Sequence, residues 1–162
     1  MSIGDRLLFP LITGFGTGFA PMASGTFGTL PAVAIGLGLQ YVWQGRELAL
    51  ALLGLAAVLL AIGCAVTGFV QRQLGAKDPK QFVLDEIVGY LITLGILALV
   101  VDPSLYGHAA AFFFFRLFDV LKLSPARELE HLEGAKGIML DDVAAGVQAG
   151  VVLLGLWYVD LI

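Results

Sequence analysis

Charged positions cut this chain into apolar runs, and the runs predict its elements. Residues 48–71 carry no charge; as a helix rising about 1.5 Å per residue they outreach the ~30 Å hydrocarbon core of a bilayer. Charge-free runs also cover 28–45, 87–101, 103–115 and 143–159, although 87–101 and 103–115 must borrow flanking residues to cross. About five membrane segments are expected, in an all-α polytopic bundle. Backbone groups in lipid are satisfied only in helices or closed barrels, and no alternating strands of about ten residues suggest a barrel. The Gly-rich stretch before the first run argues for a late helix start and a re-entrant segment. That run lies too far from the N-terminus, and lacks the basic flank, to be a cleaved signal. No repeat, low-complexity tract or linker divides the chain, so residues 1–162 read as a single membrane-embedded domain.

The basic residues orient the bundle. Five crossings put 1–27, 72–86 and 116–142 on one side, with Arg6, Arg72, Lys77, Lys80, Arg116, Lys122, Arg127 and Lys136, while the other connections hold only Arg46. Basic loops stay in the cytoplasm, so that side, with the N-terminus, is expected to be cytoplasmic. Composition agrees: 59% of residues are hydrophobic and 14% charged, whereas soluble domains carry roughly 25% charged residues. A net charge of −4 lacks the basic footprint of a nucleic-acid binder. The single cysteine, Cys64, lies inside an apolar run; it excludes a disulfide framework or a Cys-rich zinc site and reads as packing.

Four constellations converge on the cytoplasmic side. The first is Thr13-Gly14-Phe15-Gly16-Thr17-Gly18 running on through Ser24-Gly25-Thr26-Phe27-Gly28-Thr29. Its backbone N–H groups can wrap an anion ahead of a helix N-terminus; it reads equally as a tightly packed re-entrant turn. It matches neither nucleotide-binding glycine fingerprint. The second is Asp85-Glu86, directly before an apolar run, where acids either complement a helix dipole or mark function at a membrane edge. The third is Arg116, Asp119 and Lys122, spaced three apart and so on one helix face. They form either an interfacial salt-bridge ladder or two cations for phosphate oxygens and a carboxylate for a metal. The fourth is Asp141-Asp142 before Val143, a second acidic pair opening a hydrophobic segment. Five carboxylates, with His108 on the far side and His131 a weak candidate, suit Mg²⁺ rather than a thiol- or imidazole-binding metal.

Taken in order, Gly14-x-Gly16-Thr17-Gly18, Gly25-Thr26-x-Gly28, Asp85-Glu86-x-x-Gly89, Phe115-Arg116-x-x-Asp119-x-x-Lys122 and Gly137-Ile138-Met139-x-Asp141-Asp142-x-x-Ala145-Gly146 resemble the bacterial phosphatidylglycerophosphatase A family across residues 11–150. Ser24, Leu123 and Ala135 depart from the usual pattern at turns and leave the candidate ligands intact. The resemblance implies a Mg²⁺-dependent lipid phosphatase in the bacterial cytoplasmic membrane, active at its cytoplasmic face, converting phosphatidylglycerophosphate to phosphatidylglycerol. It implies a metal held within Asp85, Glu86, Asp119, Asp141 and Asp142. Glu86, Asp119 and Asp142 would act in catalysis, and Thr17, Thr26, Arg116 and Lys122 would bind the phosphate. No obligate protein partner is implied.

Other phosphatase chemistries lack their residues. Neither histidine has the basic partners of a histidine nucleophile, Val70 stands where a Cys-x₅-Arg motif from Cys64 needs arginine, and no Asp-x-Asp is present. A cation transporter or interaction protein using the acids as an ion path is the alternative. Transport favours carboxylates near the bilayer midplane on broken helices, and these lie at segment ends.

Overall fold

Among the described residues each charge-free run contributes a helix whose ends differ from those of the run. The computed structural model describes residues 3–66, 69, 70, 80–132 and 135–161, with 3–7 and 135 as backbone alone. The first helix, α1, is Ile3–Ile12, followed by a kinked 3₁₀ turn, Gly14–Phe19. The long helices are α2 Ser24–Val42, α3 Gly45–Ala65, α4 Leu84–Ala98, α5 Leu105–Leu121 and α7 Ala135–Tyr158, with a short α6, Ala126–Leu129, before the last. No strand occurs among the described residues, so the all-α expectation holds. Arg72 and Lys77, used to orient the bundle, lie outside the described residues.

Two boundaries correct the sequence reading. The helix of the first run starts at Ser24, inside the Gly-rich stretch, because Gly25 and Gly28 sit where a side chain would collide with neighbouring residues. Close packing there overrides the helix cost of glycine, about 1 kcal/mol. The last helix starts at Ala135, so Asp141 and Asp142 lie in its second turn rather than at its end. The dipole at a helix start falls off within the first turn; capping does not explain this pair.

The axis of the bundle is α4, twelve of whose fifteen residues are buried, and α2, α3, α5 and α7 pack around it. Gly63 near the end of α3 meets Met139 near the start of α7, and Gly95 late in α4 meets Leu53 of α3, so the long helices alternate in direction. The tightest crossing is between α4 and α7. A Cβ on Gly146 would lie 2.5 Å from the Gly89 carbonyl oxygen, and one on Gly89 would lie 2.9 Å from the Asp142 carbonyl oxygen. The Thr93 hydroxyl, bonded to the Gly89 and Gly146 carbonyls at 2.9 and 3.0 Å, bridges the two backbones. Deeper in the bundle His108 shares hydrogen bonds with Tyr90 Oη (2.9 Å) and Gln40 Oε1 (2.6 Å), tying α2, α4 and α5 together away from the acids. Cys64 packs against the apolar core.

Among the described residues, Gly45–Ala65 and Lys136–Tyr158 are long and apolar enough to cross a membrane unaided. Helices α4 and α5, at 15 and 17 residues, are shorter, and α2 falls below that standard of apolarity over its 19 residues.

Candidate active site

The alternation of the helices gathers four chain segments at one end. The N-termini of α2 and α4, the C-terminus of α5 and the second turn of α7 enclose a cleft of about 800 Å³. The crossing of α4 and α7 explains why the acids meet. Asp85 precedes Gly89 by four residues and Asp142 precedes Gly146 by four, so one helical turn from the closest backbone approach each helix presents a carboxylate. Asp85, Glu86 and Asp142 offer oxygens that all lie within 4.8 Å of one another. Asp85 and Asp142 are buried.

This trio is short of partners. Glu86 Oε2 and Asp142 Oδ2 are buried without a hydrogen bond, a situation costing roughly 1–3 kcal/mol for a neutral group and more for a charged one. Asp85 Oδ1 accepts the Glu86 backbone N–H at 3.0 Å. Three clustered carboxyls with unused oxygens suit a hard cation.

The cations occupy the opposite wall. Arg116 Nη1 lies 2.6 Å from Asp119 Oδ2 and 3.9 Å from Glu86 Oε1, charge pairs that leave Nη1 and Nε without aligned hydrogen bonds. Lys122 caps α5 in the left-handed conformation, φ 46°, which turns its chain across the cleft to Asp141 Oδ2 at 2.7 Å and Glu130 Oε1 at 2.8 Å. Burial alone would lower the Lys122 pKa, but hydrogen bonds and charge attraction from Asp141 and Glu130 outweigh it and hold the ammonium above its ordinary range. Six carboxylates (Asp85, Glu86, Asp119, Glu130, Asp141, Asp142) face three cations (Lys80, Arg116, Lys122) around the cleft. An anionic ligand would meet net repulsion here unless a cation joined it.

All five carboxylates expected to act, with Arg116 and Lys122, line this cleft. Thr17 and Thr26 do not; the Thr17 hydroxyl is bonded to the Gly14 carbonyl at 2.8 Å within its own turn. Ser24 and Gly25 line the cleft instead. A Cβ on Gly25 would fall 2.6 Å from Glu86 Oε1 and 2.7 Å from Arg116 Nη2, so the first turn of α2 lies against the charged cluster, and no side chain caps it. Sequence reasoning also missed Glu130, which nothing in the local pattern ties to Lys122 across the intervening turn, and Lys80, which carried no motif.

The sequence profile of the phosphatidylglycerophosphatase A family matches residues 11–157. The chain belongs to this family. Phosphatidylglycerophosphatase A of Haemophilus influenzae is 34% identical over 155 residues, covering 91% of this chain and 87% of its own length. The Escherichia coli protein of the same name is 34% identical over 139 residues, 85% and 76% of the two chains. A Bacteroides thetaiotaomicron protein, provisionally named a phosphatidylinositol-3-phosphatase, is 35% identical over 142 residues, 87% of each chain. No solved structure matches the chain. Membership in the phosphatidylglycerophosphatase A family makes the chain a phosphatase, and its two membrane-length apolar helices fit association with a bilayer.

Proposed function

We propose that this protein hydrolyses the terminal phosphomonoester of phosphatidylglycerophosphate, using Mg²⁺ held by Asp85, Glu86 and Asp142, at the cytoplasmic face of a five-segment bundle in the bacterial inner membrane. The observation that carries this reading is the pair of buried, unpartnered oxygens, Glu86 Oε2 and Asp142 Oδ2, in a three-carboxyl cluster facing Arg116 and Lys122 across one cleft. Asp141, engaged by Lys122, is a positioning residue in this scheme. The names of the Haemophilus and Escherichia relatives support the substrate.

When bound, Mg²⁺ neutralises the phosphate and acidifies a water. The remaining work belongs to side chains. Arg116 and Lys122 hold the phosphoryl oxygens as charge spreads over them, and uncapped N–H groups at the start of α2 add donors. Asp119, beside Asp142 and outside the three-carboxyl cluster, takes the proton from the attacking water. The water oxygen bonds phosphorus, the bond to the glycerol oxygen breaks, and the proton returns to the departing alcohol. Asp141 and Glu130 keep Lys122 charged and aimed throughout.

Phosphate release from mixed micelles tests the substrate. Phosphatidylglycerophosphate should be cleaved far more efficiently than glycerol phosphate, because acyl-chain binding helps hold the headgroup in register. Equal efficiency on glycerol phosphate would overturn a lipid substrate. Faster cleavage of phosphatidylinositol 3-phosphate would reassign the headgroup, as the name of the Bacteroides relative suggests for that protein.

A further inference from the structure

The cleft accounts for a charged headgroup but leaves an adjoining apolar surface without a role. Phe15, Phe19 and Met22 are 75%, 54% and 78% exposed, although the backbone that carries them is firmly held. Gly14 and Gly18 are buried, Gly18 sits directly against the Gln81 carbonyl, and the Val83 N–H bonds the Ile12 carbonyl at 2.9 Å. Phe15 and Ala23 adopt left-handed φ values of 57° and 50°, an uncommon conformation for non-glycine residues that persists only when the surroundings enforce it. The segment is therefore a tightly packed turn with its large apolar side chains exposed.

Phe19 joins this surface to the cleft, and Met22 lies between the cleft residues Pro21 and Ala23. Phe19, Ala20 and Pro21 form part of the cleft wall, so apolar rim and polar interior share one stretch of chain. No charged residue occurs between Arg6 and Arg46, and the rim carries no charge. A ligand matching both features has a phosphate head and hydrocarbon chains leaving on the side of Phe15, Phe19 and Met22.

We propose that this rim is the surface along which the acyl chains of the substrate lipid lie while its phosphate occupies the cleft. The proposal rests on the lipid-phosphatase reading above and adds the direction from which the lipid arrives. Burying the rim against hydrocarbon removes apolar area from water during substrate binding, which favours long chains over short ones. It also excludes water from the mouth of the cleft on that side.

The test compares dioleoyl with dihexanoyl phosphatidylglycerophosphate in the same detergent micelles. It uses wild type, the double variant Phe15→Gln with Met22→Gln, and the apolar control Phe15→Leu with Met22→Leu. Both positions are largely exposed, and thermal unfolding in detergent checks that each variant is folded. The ratio of kcat/KM on the long-chain to the short-chain lipid should fall by about tenfold in the Gln variant and stay near the wild-type value in the Leu variant. An unchanged ratio in the Gln variant, or an equal fall on both lipids, overturns the proposal; the first result would leave the rim as a membrane anchor or a protein contact. A wild-type protein that releases phosphate from neither lipid overturns the functional reading as well, whereas an active wild type with an unchanged ratio overturns the rim alone.

Discussion

Asp141 and Asp142 are chain neighbours with opposite circumstances. A step of about 100° around a helix separates them, so Asp141 faces Lys122 at 2.7 Å while Asp142 joins Asp85 and Glu86 with one oxygen unpartnered. Asp142→Asn keeps the shape and removes the charge. Without metal it should leave the protein at least as stable in thermal unfolding, since one of several crowded like charges is gone. It should lose the stabilisation that wild type gains from Mg²⁺, about 2.7 kcal/mol at a hundred times Kd, and lose activity by at least about 100-fold. Equal Mg²⁺ stabilisation in both proteins would take Asp142 out of the metal site. Lys122→Ala should lower kcat by about 10²–10³ and change lipid association much less. At this scale the acidic pairs and the Arg116, Asp119, Lys122 series were legible because charges beside hydrocarbon stand out in sequence. Which acid of each pair meets a cation was not, because that depends on helix rotation and on the left-handed turn at Lys122. The Gly/Thr segment was legible as a motif, but its threonines drew attention away from Ser24 and Gly25 at the actual helix start.

Among the elements, the crossing of α4 and α7 carries the site. Gly146→Ala would press a methyl group onto the Gly89 carbonyl; overpacking of this kind typically costs about 1–3 kcal/mol, and separating the helices also separates Asp85 from Asp142. The variant should unfold at lower temperature and need more Mg²⁺ for half-maximal activity. Gly54 in α3 provides the control, because a Cβ there meets nothing. Gly54→Ala should leave activity intact and raise stability by up to about 1 kcal/mol, as measured by thermal unfolding in detergent. If Gly146→Ala behaves like Gly54→Ala, the crossing does not set ligand spacing. All five apolar runs were readable as helices from their lack of charge. Their ends were not: α2 begins at Ser24, where the close packing of Gly25 and Gly28 lies outside the local sequence.

Across the whole molecule, the alternation of five long helices brings the cleft residues to one end, which among the described residues also holds Lys80, Arg116, Lys122, Arg127 and Lys136. On the proposed topology, that asymmetry predicts a cleft facing the cytoplasm. Single cysteines introduced as Glu128→Cys and Asp102→Cys, both at exposed positions, report it: in intact cells an impermeant thiol reagent should label the second and spare the first. The reverse pattern would invert the protein and put the cleft on the other face. The central claim, that the carboxyl cluster holds the Mg²⁺ needed for lipid phosphomonoester hydrolysis, meets its most direct test in one titration. Chelator-stripped protein in mixed micelles with phosphatidylglycerophosphate should release no phosphate until Mg²⁺ is added back, and should then approach full rate in a saturable manner. Undiminished phosphate release with chelator present would contradict it.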